Sequence, residues 1–161
     1  MQTLNEDKVW HLLYQVKDPE IPVVSVVEMG MIREVEVNGD QIQVTMTPTF
    51  IGCPAVQVMQ AEIKGKLEGA GAKVVRVNIS HNPPWSSDWI RPEARQKLKE
   101  FGLAPPPRHH GNFETVLLEV VKCPYCGSNE TSLKNDFGST LCRAIFYCNN
   151  CQQPFEQFKP I

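Results

Sequence analysis

The chain has 161 residues, 16 Lys and Arg against 18 Asp and Glu, a formal net charge of −2 and 42% hydrophobic residues. That size fits one domain, or a small domain with a satellite, and the near-neutral balance supplies no field that would draw nucleic acid or an anionic membrane. No apolar run approaches the ~20 residues of a membrane span, and the first fifteen residues carry acids where an export signal carries bases, so a cytoplasmic protein is expected.

In chain order, Asn5 is placed to cap a helix whose first turn holds Glu6 and Asp7 and whose one face holds Val9, Leu12, Leu13 and Val16. Asp18-Pro19-Glu20-Ile21-Pro22 ends it, because two prolines so close cannot continue a helix. The period then changes to two over Ile32–Val37 and Gln41–Thr47, with Asn38-Gly39-Asp40 as a hairpin turn. A loop, Thr47–Gly52, precedes a helix from Pro54 to Leu67, with Ala55, Val58, Met59, Ile63 and Leu67 spaced for a buried face and Gly69 and Gly71 ending it. Lys73–Ser80 alternates again. The order α-β-β-α-β predicts an α+β domain, a two-layer sandwich with helices on one sheet face.

His81–Trp89 is a loop rich in proline and tryptophan. Trp85 and Trp89 there read as a lid over the small core, with a partner-docking surface as the other reading. A helix follows from about Pro92 to Phe101. Ala104-Pro105-Pro106-Pro107-Arg108-His109-His110-Gly111 reads as a stiff, extended, solvated linker. The expected division is therefore a domain over 1–103, a linker over 104–112 and a C-terminal module over 113–161, opening with a strand at Thr115–Val121.

The six cysteines are the anomaly. An even count suggests disulfides in a secreted chain, but metal or thiol chemistry is expected where no export signal stands. Cys123-Pro124-Tyr125-Cys126 and Cys148-Asn149-Asn150-Cys151 are two C-x-x-C pairs, each able to form a knuckle presenting two sulfurs to one ion. Together they satisfy a tetrahedral zinc with four thiolates, with an iron site as the alternative. Gly127 fits the positive φ that often follows such a knuckle. So short a module buries little core, so the structural zinc would supply most of its folding energy. Cys142 is left over, either a small buried hydrophobe beside Leu141 and Ile145 or an extra thiol near the metal.

Cys53 stands apart. With Pro54 as the first helical residue, Cys53 would be the N-cap, where the helix dipole and free N–H groups should lower its pKa. Asp18, Thr47 and Thr49 could converge on the same sheet edge, and Gly52 would let a ligand or partner approach the backbone. The bland alternative is a cysteine standing in for a serine cap. No histidine lies near Cys53 in sequence to act as a base, which argues against a Cys–His hydrolase. His11 reads as surface or packing, and the chain lacks the Glu-x-x-His pairs of a helical di-iron site.

Asp18-Pro19-Glu20-Ile21-Pro22 with Glu28-Met29-Gly30-Met31-Ile32, Met46-Thr47-Pro48-Thr49 through Gly52-Cys53-Pro54, and Pro83-Pro84-Trp85 resemble three signatures of the iron–sulfur-assembly domain found in SufT and the cytosolic iron–sulfur targeting proteins. The block Phe137-Gly138-Ser139-Thr140-Leu141-Cys142-Arg143-Ala144 and the ending Pro154–Ile161 resemble the D-type (J-type) subunit of the bacterial phenylacetyl-CoA epoxidase system, and that resemblance spans nearly the whole chain. It implies a non-catalytic accessory protein whose partners are the oxygenase and reductase subunits, assisting assembly of iron or iron–sulfur centres. By position, Cys53 would be the reactive thiol with Asp18 and Thr47 as neighbours. Cys123, Cys126, Cys148 and Cys151 would be the ribbon ligands, and Cys142 falls inside the family block.

The mechanism implied is transient binding of iron or an iron–sulfur cluster by a Cys53 thiolate, with a homodimer as one way to complete the coordination. A structural subunit of the oxygenase complex without cluster handling, and a general iron–sulfur carrier, are the alternatives. A nucleic-acid-binding ribbon fits poorly, because Lys122, Lys134, Arg143 and Lys159 are few and the chain is net acidic.

Overall fold

A computed structural model describes residues 4–161, which divide into two compact units after Trp85. Among the described residues no helix is long and apolar enough to cross a membrane.

The first unit opens with α1, Glu6–Leu13, whose Lys8 N–H donates to the Asn5 side chain at 3.0 Å. Val9 and Leu13 are buried as the helical spacing predicts, Leu12 on the same expected face is only partly buried, and Val16 is buried just beyond the helix. The chain then turns on Asp18, whose Oδ1 accepts the N–H groups of Glu20 and Ile21 at 2.8 and 3.0 Å. Residues 23–31 form no regular element, yet Val24, Val26, Val27, Met29 and Met31 are buried. Ser25 and Glu28 make this possible. Each side chain accepts the other's backbone N–H, at 2.8 and 3.1 Å, so the buried turn leaves few polar groups wanting.

β1, Ile32–Asn38, and β2, Gln41–Met46, form the expected hairpin, with Gly39 at φ 64°. α2, Ala55–Gly69, then returns the chain so that β3, Val74–Ile79, lies parallel to β2, giving the sheet order β1-β2-β3. Parallel pairing requires such a crossover. The apolar rows run straight across the sheet: Val35, Val44 and Val77 in one, Val37, Ile42 and Val75 in the next. α2 buries Ala55, Met59, Ile63 and Leu67, a strict i, i+4 stripe. Val58, expected on that face, is 53% exposed, because it lies about 100° around the helix from Met59. Trp85 is buried, and its indole N–H donates to the Met29 carbonyl at 2.9 Å. That tryptophan packs as a lid on its own unit's core. Trp89 belongs to the second unit, in a 3-10 turn over Ser87–Trp89.

The second unit begins at Ser86, well before the proline run where the division was expected. Its elements are α3, Pro92–Glu100; β4, Leu103–Ala104; α4, Phe113–Leu117; β5, Thr131–Asn135; β6, Arg143–Cys148; and β7, Pro154–Phe158. The sheet order is β4-β7-β6-β5, so the residues just before the prolines add a parallel strand to the ribbon. Arg95 on α3 fixes this segment. Its guanidinium donates to the carbonyls of Ser87 at 2.7 Å and Ile90 at 3.3 Å, and to that of Pro106.

The supposed solvated linker is tied down as well. His109 is 6% exposed, with Nε2 against the Ile161 carbonyl at 2.9 Å and the Ser86 hydroxyl at 3.1 Å. The Gly111 N–H donates to its Nδ1 at 3.0 Å, so Nε2 carries the proton. Asp88 accepts the backbone N–H groups of His109 and His110 at 2.9 and 2.7 Å. Burial pushes the Asp88 carboxyl up, but those two donors together with the nearby His109 and His110 imidazoles hold the group below the usual carboxylate range.

The strand expected at Thr115–Val121 is the short helix α4 instead. Asn112 accepts the Glu114 N–H at 3.1 Å through its side chain and the Thr115 hydroxyl at 2.9 Å through its carbonyl, and this local capping outweighs the β-branched composition.

Replacing Trp85 by phenylalanine keeps an aromatic ring but removes the indole N–H and leaves the buried Met29 carbonyl without its donor, at a cost of at least about 1–2 kcal/mol. The urea midpoint of the first unit should fall, with an unchanged m-value.

Candidate functional site

Two places carry chemistry. The first lies at the carboxyl ends of β2 and β3. Met46 is paired with Ile79, and the Ser80 N–H donates to the Met46 carbonyl at 2.9 Å. The chains leaving both strands therefore emerge side by side. One runs into the loop that ends at Cys53, the other into His81. Between them lies an open groove of about 460 Å3, lined by Cys53, Gly52, Val56, Gln57, Gln60, Ile79, His81 and two prolines.

Cys53 is half-buried, and Pro54, with φ −66°, holds the cap position before Ala55. Cys53 is thus one residue outside the cap expected for it. The Val56 N–H donates to the Cys53 carbonyl at 3.2 Å, and the backbone N–H groups of Ala55 and Val56 at the helix start favour the thiolate. The expected fall in pKa does not follow. Burial pushes the thiol up, the Glu20 and Asp18 carboxylates add to that push, and the two N–H groups only partly offset it.

Asp18 and Thr47, the residues placed beside Cys53 from sequence, do not line the groove. Asp18 is 8% exposed and committed to the turn at Glu20 and Ile21, and it reaches Cys53 through its charge. Thr47 is 1% exposed, and its N–H donates to the Met31 carbonyl at 2.8 Å. Sequence reasoning missed His81, Gln57 and Gln60. A signal for His81 existed: with β2 and β3 parallel, residues just after each strand must be neighbours, as at the carboxyl edge of any parallel βαβ unit.

The second place is the four-sulfur group. The sulfurs of Cys123, Cys126, Cys148 and Cys151 all lie within 4.8 Å of one another. Cys123 to Cys151 is 3.7 Å and Cys126 to Cys148 is 3.6 Å. A tetrahedron with metal–sulfur bonds of about 2.3 Å has edges of about 3.8 Å, so the donors fit one four-thiolate cation.

The two knuckles are built alike. Gly127 N–H donates to the Cys123 carbonyl and Cys123 N–H to the Ser128 carbonyl; Gln152 N–H donates to the Cys148 carbonyl and Cys148 N–H to the Gln153 carbonyl. The position after the first knuckle is Gly127 at φ 74°, as expected, but its counterpart is Gln152 at φ 58°. As free thiols Cys126 and Cys151 are pulled in opposite directions. The Ser128 N–H and the Asn150 side chain hold Cys126 down at about 6, while desolvation and the neighbouring sulfurs push Cys151 up to about 12. Cation binding must therefore expel protons, most of all from Cys151.

Cys142 lies outside the four-sulfur group, 3.0 Å from the Thr140 hydroxyl. The block around it is a lock on the loop between β5 and β6. Glu156 accepts the Ser139 N–H at 2.7 Å and the Ser139 hydroxyl at 3.1 Å, and pairs with Arg143 at 3.0 Å. A Cβ on Gly138 would sit 2.6 Å from a Glu156 oxygen, so glycine there is what lets the loop close on the carboxylate.

Similarity to known proteins follows this division. Residues 6–79 match the family described as iron-sulfur cluster assembly protein, and residues 108–159 match the PaaD zinc beta ribbon domain. A protein of Escherichia coli K12, named as the D-type subunit of 1,2-phenylacetyl-CoA epoxidase, is 39% identical over 96% of this chain and 92% of its own. The chain belongs to this D-type family of phenylacetyl-CoA epoxidase subunits. A Porphyromonas gingivalis Fe-S protein maturation auxiliary factor is 36% identical to this family member over 58% of this chain and 90% of its own. The crystal structure of a Bacillus anthracis domain of unknown function, DUF59, is 31% identical with a TM-score of 0.54, covering 58% of this chain and 90% of its own.

Both places can be probed directly. Peptide-resolved alkylation of Cys53 against pH should show a midpoint above the ordinary thiol value of about 8.5, and Glu20→Gln should bring it down; a midpoint below that value in the unaltered chain contradicts the geometry. Stripping the ribbon cation with a strong chelator at acid pH should abolish amide protection over β5–β7 while α2 keeps its own. Equal loss in both units contradicts the assignment.

Proposed function

We propose that this family member is a non-catalytic accessory factor of the phenylacetyl-CoA epoxidase, presenting Cys53 to iron or iron–sulfur cargo bound for the oxygenase or reductase subunits. The carrying observation is the Cys53 groove: a single half-buried thiol in a groove open to solvent, at the edge formed by the carboxyl ends of two parallel strands. Thiolate is the protein ligand best matched to iron–sulfur chemistry, and one thiolate gives the incomplete coordination that a carrier needs in order to release its cargo. The same carboxylates that raise the thiol's pKa draw a cation toward it. Once a cation is bound, its charge reverses that shift and stabilises the thiolate.

The names of the relatives support this reading, one as an epoxidase subunit and another as an Fe-S protein maturation auxiliary factor. In the second unit, Cys123, Cys126, Cys148 and Cys151 would hold a structural zinc, which closes their coordination and leaves no ligand position for transfer. That unit then serves to dock the client.

The test is a Cys53→Ser chain expressed in place of the original beside the epoxidase subunits. Cluster content of the reductase and iron content of the oxygenase should fall several-fold, while the variant's thermal midpoint stays within about 2 °C of the original. Unchanged metal content with normal co-purification would instead favour a structural subunit without cluster handling.

A further inference from the structure

The groove holds more than its cysteine. His81, just beyond the end of β3, lines the same groove and is exposed to solvent. Its backbone is held on both sides. The Ser80 N–H donates to Met46, and the Ser80 hydroxyl sits 3.1 Å from the Asn82 carbonyl and 3.3 Å from the Asn82 N–H. Gln60, one turn along α2 from Val56, also lines the groove, and its amide nitrogen donates to the Val77 carbonyl at 3.1 Å. With the nitrogen committed there, the amide oxygen is the part of Gln60 left as a donor to a cation. The groove thus combines a sulfur, an imidazole nitrogen and an amide oxygen, beside a field set by Glu20 and Asp18.

From this grouping we infer that the Cys53 groove is a mononuclear site for a borderline divalent cation of the ferrous type, with Cys53 Sγ and the His81 imidazole as its protein ligands. The inference rests on the reading of Cys53 as the cargo thiol and adds a second ligand and a cargo class to it. Mixed sulfur and imidazole donors suit divalent iron, cobalt and zinc, whereas calcium and magnesium require oxygen-rich sites. Loading involves no redox change. The Cys53 S–H bond breaks, a metal–sulfur bond forms, the proton leaves to solvent, and the imidazole displaces one water from the hydrated cation. The remaining positions hold water and face the open groove, where a client's ligands can replace them. A second copy of the chain is then not needed to complete the coordination, because the second ligand comes from the same unit.

The test uses the full chain with its ribbon preloaded with zinc, titrated anaerobically with Co2+ as a spectroscopic stand-in for Fe2+. One equivalent of cobalt should bind without zinc release, with a sulfur-to-cobalt charge-transfer band. Cys53→Ser should remove that band. His81→Ala should weaken binding about tenfold or more while keeping the band, and His81→Cys should restore affinity with a stronger band. Identical titrations of His81→Ala and the unaltered chain overturn the inference, as does cobalt entering only by displacing zinc. The two readings fail separately. Loss of client metal in Cys53→Ser with no effect of His81→Ala in the titration leaves the accessory role standing and removes His81. Cobalt binding through both residues with normal client metal in Cys53→Ser leaves the cation site and removes the accessory role.

Discussion

The parallel pairing of β2 with β3 is the constraint on which the first unit depends. Six consecutive residue pairs, from Gln41 with Val74 to Met46 with Ile79, run without a break. Parallel strands cannot be joined by a tight turn, so the chain between them has to cross the sheet, and α2 is that crossing. The crossing fixes which face is covered, since α2 presents its Ala55, Met59, Ile63 and Leu67 stripe to the rows of valine and isoleucine. It also fixes where chemistry can occur. Both strands end at the same edge, so the start of α2 and the tail of β3 form the two walls of one groove.

Much of this unit was legible in the sequence because its signals are local. Asn5 three residues before Lys8, the Asn38-Gly39-Asp40 turn and the change of hydrophobic period from 3.6 to two each need only a short window. What escaped depends on distant parts of the chain. His81 stands 28 positions beyond Cys53 in sequence, and only the parallel pairing of β2 with β3 brings both to the lining of one groove. The direction of the Cys53 shift escaped for the same reason: a helix start lowers a thiol's pKa, but burial and two carboxylates from a separate turn outweigh it. Thr115–Val121 failed differently, since its β-branched residues speak for a strand until the Asn112 cap is counted.

In the second unit the spacing of the four cysteines was sufficient to place the sulfurs, because two C-x-x-C knuckles can close on a single ion in few ways. The knuckle geometry is set by the backbone more than by residue type. Gln152 adopts the left-handed conformation that glycine supplies at the matching position, and the same pair of backbone hydrogen bonds closes both turns. The family block around Cys142 is legible as a pattern, but its reason is visible only when Glu156 is seen gripping Ser139 and Arg143 above a glycine with no room for a side chain.

The proline run looks like a hinge and behaves as a fastening. The residues before it, Ser86 to Ala104, supply α3 and the outer strand β4, and Ala104 packs with Cys123, Cys148 and Phe155 in the ribbon's own core. The compact unit is therefore longer than its cysteine-bearing part. A recombination event joining this ribbon to another protein at the prolines would transplant a sheet lacking its edge strand and a core lacking one of its walls. A cut made before Ser86 instead keeps β4 and Ala104 with the sheet and core they complete.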